Sequence, residues 1–174
     1  MMPSMLIVVL TSLLTAAIYT DLRWSRIPNW LTFSAMGVGI AIQGWFGGVQ
    51  GVGFSLQGVA VGMGLFLLPY VFKMIGAGDV KLMAAIGSIL GSSGVLSVAA
   101  LSALVGGGYA LVAMSYHWGL VATSRKLTFA TCGALLTCGA TGGRELQLPF
   151  KLRYGLAIAV GTLLFLGGVQ PFRW

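Results

Sequence analysis

Asp21 and Asp79 are the only aspartates in the chain, and Glu145 is the only other acid. Both lie beside long apolar stretches, where an acid at a helix centre costs about 2.5–3.5 kcal/mol. A chain that sheds nearly all its acids and keeps two at similar depths has a use for them. Two carboxylates sharing a site titrate as a coupled pair, because both cannot easily ionise a few ångströms apart. One retains a proton and the other serves as a base. Such a pair can activate water against a peptide carbonyl and protonate the leaving nitrogen. Asp79 closes the string Gly76-Ala77-Gly78-Asp79. Gly76 and Gly78 permit tight or positive-φ backbone beside it and let an extended substrate backbone come close. Lys81, two residues on, either tunes Asp79 electrostatically or extends toward lipid headgroups. A plainer reading pairs Asp21 with Arg23 or Arg26, and Asp79 with Lys73 or Lys81.

The elements that must position these acids are membrane helices. Of the 174 residues, 57% are hydrophobic and 7% charged, against about 25% charged in a typical soluble domain. So few charges cannot cover a soluble globule, so the chain is expected in a lipid bilayer. The fold class is all-α: a polytopic membrane protein forming one domain over residues 1–174. Six apolar stretches stand out, at about 5–19, 30–46, 54–72, 80–90, 95–116 and 154–169. The start lacks a basic n-region and a clear small-residue cleavage site, so it reads as a first span rather than a cleaved signal.

The formal charge of +7 finds its explanation in topology rather than in nucleic acid. Arg23, Arg26, Lys73, Lys81, Arg125, Lys126, Arg144, Lys151 and Arg153 fall on alternate connections, leaving only Arg173 on the other side. The positive-inside rule then puts the charged loops in the cytoplasm and both termini outside, across six crossings. Trp24, Trp30, Trp45, Trp118 and Trp174 all fall at expected span ends, where amphipathic rings favour the interface. Asp21 and Asp79 come out on the same, cytoplasmic side. Residues 128–140, flanked by basic residues, read as an interfacial or re-entrant segment between spans five and six. Gly58 and Gly62 have the spacing for close helix packing. Cys132 and Cys138 form no zinc pattern with the single histidine, His117, so no metal is expected. His117 reads as an interfacial residue and Glu145 as a solvated helix-end acid.

Three strings resemble one family. Tyr19-Thr20-Asp21-Leu22-Arg23-Trp24-Ser25-Arg26-Ile27-Pro28-Asn29 resembles the first active-site segment of type IV prepilin peptidases. There an aspartate at a helix end precedes a short basic stretch and Ile-Pro-Asn. Gly76-Ala77-Gly78-Asp79-Val80-Lys81-Leu82 resembles their second segment, G-x-G-D-x-K-L. Tyr154-Gly155-Leu156-Ala157-Ile158-Ala159 is similar to their final-helix P-Y-G-x-A-I-A pattern, with Arg153 where proline is common. The resemblance implies that Asp21 and Asp79 are the catalytic pair of an aspartic endopeptidase needing no cofactor. It implies a pilin-like precursor as partner, with a basic leader followed by a hydrophobic helix, cut at the cytoplasmic face of a bacterial inner membrane. Larger members also methylate the new N-terminus and carry a cysteine-rich cytoplasmic domain. This chain is similar to the small members associated with tight-adherence, Flp-type pili, which implies a peptidase alone.

Two other classes would use the same residues differently. A proton-coupled carrier would place its acids nearer mid-membrane and show inverted symmetry between halves, and the sequence has neither. A noncatalytic pilus-assembly protein would tolerate the loss of both acids.

Overall fold

The computed structural model describes residues 4–24, 27–71, 75–118, 154–169 and 171. Among them the fold is all-α, with four helices: α1 (Ser4–Trp24), α2 (Asn29–Val71), α3 (Ala77–Trp118) and α4 (Tyr154–Leu166). The first three are long and apolar enough to cross a membrane, and α4 is a shorter apolar helix. The expected segment at 128–140, together with Cys132, Cys138 and Glu145, lies outside the described residues. Two compact units divide the chain, Met1–Gly106 with Arg153–Trp174, and Gly107–Leu152. Of the second, only the end of α3 is described. The expectation of one domain also concerns residues 119–153, which are not described.

The spans expected at 30–46 and 54–72 join into α2, and those at 80–90 and 95–116 join into α3. A straight 43-residue helix would run about 64 Å, twice the hydrocarbon thickness of a bilayer (about 30 Å). Each long helix is instead broken at one glycine. Gly48 (φ 56, ψ −140) interrupts α2, and Gly91 (φ 73, ψ −175) interrupts α3. The chain reverses at both points. A methyl group on Gly51 would run into the backbone carbonyl of Gln43, although residues eight apart on a straight helix are about 12 Å apart. A methyl on Gly62 would lie 2.7 Å from the Met83 carbonyl oxygen and 3.1 Å from Val95 Cγ2, which brings the two arms of α3 together. The loops expected at 47–53 and 91–94 thus shrink to single left-handed glycines between helical arms.

The first arm of α3 is the centre of this unit. Leu82, Met83, Ala85, Ile86, Ser88 and Ile89 are all fully buried, as expected of a helix that is apolar all round. Gly58 and Gly87 face each other so closely that a methyl on either would run into the other's backbone carbonyl. Small residues permit such approach between membrane helices. Ser55 Oγ donates to the Ser88 carbonyl at 2.8 Å, and Gln43 Nε2 to the Ile89 carbonyl at 3.0 Å. Both bonds satisfy polar groups inside an apolar core, where an unmade hydrogen bond is costly.

Helix α1 shows one buried stripe, Leu6, Leu10, Leu13, Leu14 and Ala17, at the three- and four-residue spacing of a helix face. Met5, Val8, Tyr19, Leu22 and Trp24 are exposed and form the apolar face a bilayer would cover. α1 packs against α2 and α4. α4 ends in a left-handed Gly168 (φ 95), with Val169 N–H donating to the Leu164 carbonyl and Gly168 N–H to that of Phe165, both at 3.1 Å. That is the Schellman arrangement, which satisfies carbonyls a helix end would otherwise leave open.

Candidate active site

Asp21 continues the buried stripe of α1. It stands four residues beyond Ala17 and seven beyond Leu14, so the same helical period that buries those side chains turns Asp21 inward. The helix does not stop at Tyr19, as the apolar stretch suggests, but runs on to Trp24. Asp21 therefore sits on a rigid turn rather than in a loop. It is half-buried, and its Oδ2 is shut off from solvent.

Asp79 is held by a different device. α3 begins at Ala77, which makes Gly76 the capping residue and Asp79 the third residue of the first turn. Gly76 N–H donates to Asp79 Oδ2 at 3.1 Å, and Asp79 N–H donates to the Gly76 carbonyl at 3.1 Å. The side chain thus reaches back over the helix start, as in half of a capping box. A negative charge there also faces the favourable end of the helix dipole. The Gly-Ala-Gly-Asp string is a helix start that fixes the orientation of one carboxylate.

Gly78 has a packing role. A methyl there would lie 3.2 Å from Ile27 Cβ, so the missing side chain lets the Ile27-Pro28-Asn29 corner rest on the start of α3. Lys81 closes the same contact. Its Nζ donates to Asn29 Oδ1 at 2.8 Å and lies 5.6 Å from the centre of the Phe33 ring. Sequence reasoning offered Asp79 or the headgroups as partners of Lys81. The structure adds Asn29, so Lys81 links the two motif-bearing segments.

The two acids meet at α4. A methyl group on Gly155 would stand 3.0 Å from Asp21 Oδ2 and 3.5 Å from Asp79 Oδ1. The two oxygens are therefore no farther apart than those two distances laid end to end. Next to Gly155, the Tyr154 ring meets Phe66 edge-on, at 6.0 Å between centroids and 66° between planes, and rests against Gly106. Sequence reasoning brought Asp21 and Asp79 together and left Gly155 without a role. The Tyr-Gly-x-Ala-Ile-Ala string marks the segment but not the part this glycine plays in it.

Two carboxylates on separate helix ends, one bonded to backbone N–H and the other half-buried with one oxygen closed to solvent, form a set able to share a proton and polarise a water. Among the described residues no group of three or more metal-ligating side chains gathers anywhere. His117 belongs to α3.

The model of the type IV leader peptidase family matches residues 8–111. That is more than half of the chain, and it includes both aspartates, the Ile27-Pro28-Asn29 corner and Lys81. No curated protein and no solved structure matches the chain. Its apolar helices and this match make it a membrane protein with a peptidase relationship: the chain belongs to the type IV leader peptidase family.

Proposed function

We propose that the protein is an aspartic endopeptidase that removes the leader from pilin-like precursors at the cytoplasmic face of a bacterial inner membrane. Asp21 and Asp79 share one proton between them. The ionised partner takes a proton from water as that water attacks the scissile carbonyl, and the protonated partner donates to the leaving nitrogen. The substrate is a chain with a basic leader followed by a hydrophobic helix, of the Flp type, and no methyl transfer accompanies cleavage. The reading extends to six crossings, with both termini outside. The reversal at Gly48 supports it, since it divides the 43 residues of α2 into two arms of roughly membrane length.

The observation that carries the reading is the approach of both carboxylates to Gly155. A carrier would need its acids along a path through the membrane, whereas these two share one place at helix ends. Co-expression with a pilin precursor tests the proposal. Asp21→Asn and Asp79→Asn should each leave the precursor uncut while the protein accumulates normally. Retained cleavage in either variant would refute the proposal.

A further inference from the structure

The glycines of this chain differ in what a side chain would meet. Methyl groups on Gly51, Gly58 and Gly87 would run into backbone carbonyls of a neighbouring helical segment, and one on Gly161 would lie 2.7 Å from Ser102 N. Those positions hold helical segments at close approach. Gly48, Gly91 and Gly168 have positive φ. Gly155 belongs to neither group. Its backbone is not among the positive-φ glycines, and it lies in the first turn of α4, where alanine is the better helix former. It is buried, yet the three atoms nearest a methyl there all belong to carboxyl groups: Asp21 Oδ2 at 3.0 Å, Asp21 Cγ at 3.4 Å and Asp79 Oδ1 at 3.5 Å. Gly76 also faces a carboxylate, Asp79 Oδ2 at 3.4 Å, but it is exposed and faces only that one acid.

We infer that Gly155 is a positioning residue for the cleavage reaction: its missing side chain lets the two carboxylates close on one point of α4, in the arrangement that would hold a shared proton and a water. This rests on the aspartic-peptidase reading and adds a third position to it. A methyl at 155 would occupy the point both acids face. It would push Asp21 aside by a few tenths of an ångström and so disturb its placement against Asp79. The fold has no comparable reason to reject it, because the methyl touches no backbone and no apolar neighbour among its nearest atoms. Reaction rates are far more sensitive than folds to such shifts, with misplacement by about 1 Å able to cost 100-fold.

The test compares purified full-length wild type, Gly155→Ala and Gly37→Ala on a precursor with a basic leader and an apolar helix. Gly37 is a helical glycine with nothing within 4 Å of an added methyl, so it controls for helix propensity alone. Both variants should accumulate and melt no lower than wild type. Gly37→Ala should cleave at the wild-type rate. Gly155→Ala should lose kcat on the order of 100-fold with KM little changed, the pattern of a lost transition-state arrangement rather than lost leader binding. Wild-type kcat in Gly155→Ala would overturn the inference. A raised KM with kcat intact would do the same, as would a fall in melting temperature, which would make position 155 a packing contact. Asp21→Asn and Asp79→Asn run alongside. If they still cleave, the underlying reading fails. If they are inactive while Gly155→Ala cleaves normally, only the inference fails.

Discussion

Lys81 Nζ donates a 2.8 Å hydrogen bond to Asn29 Oδ1 across 52 positions of sequence. The bond ties the segment just beyond Asp21 to the first turns of the helix that carries Asp79. With Ile27 seated against Gly78, it fastens the start of α2 to the start of the helix that carries Asp79. On the proposed mechanism, Lys81 and Asn29 would act on cleavage only through the placement of the carboxylates. Lys81→Met and Asn29→Ala should each lower kcat by about tenfold, in keeping with a partial loss of orientation. The double variant should fall no further than either single one, because both remove the same contact. Purified enzyme and a full-length precursor provide the measurement. Multiplicative losses would show that the two residues act separately.

Asp79 has two roles that substitution can separate. Its carboxylate is half of the proposed dyad and also accepts the Gly76 N–H at the start of α3. Asparagine keeps a side-chain oxygen for that N–H, and alanine does not. Asp79→Asn should melt near wild type in detergent. Asp79→Ala should lose about 0.5–1.5 kcal/mol, the usual net worth of one hydrogen bond. Both should be inactive. Equal melting temperatures for the two would remove the capping role.

The reversals at Gly48 and Gly91 differ in what surrounds them. Both have positive φ, but a methyl at Gly48 meets nothing within 4 Å, whereas one at Gly91 would overlap the Phe54 ring. Gly48→Ala should therefore cost only the backbone strain, about 1–3 kcal/mol. Gly91→Ala adds overpacking of about 1–3 kcal/mol. Truncating the ring in Gly91→Ala/Phe54→Ala should recover part of the second loss and none of the first. Thermal unfolding of the purified variants decides. Equal costs at the two glycines would contradict this account of the breaks.

How far the sequence reveals all this depends on how local each cause is. The inward turn of Asp21 follows from the helical stripe Leu10, Leu14 and Ala17, and the placement of Asp79 from glycines at a helix start. Both are readable within a few residues. At Gly48 and Gly91 the length and hydropathy of the apolar stretches predict loops. Hydropathy cannot tell that helical φ/ψ continues on both sides of one left-handed residue. The Lys81–Asn29 bond spans two motifs and needs the packing of α2 on α3 before it exists. The exposure of Gly155 to both acids depends on where α4 docks. Nothing in the local pattern Tyr-Gly-x-Ala distinguishes a glycine that holds helices close from one on which two acids converge.

The most direct measurement of the central claim is kcat/KM of the purified protein with Asp21→Asn, with Asp79→Asn and with both. A pair that shares one proton and one water works only as a unit, so the account predicts that the two single variants and the double variant reach one common floor, at least about 10³-fold below wild type. The account is contradicted if either single variant cleaves the precursor at near the wild-type rate. It is equally contradicted if the double variant falls far below both singles, as two independently acting residues would require.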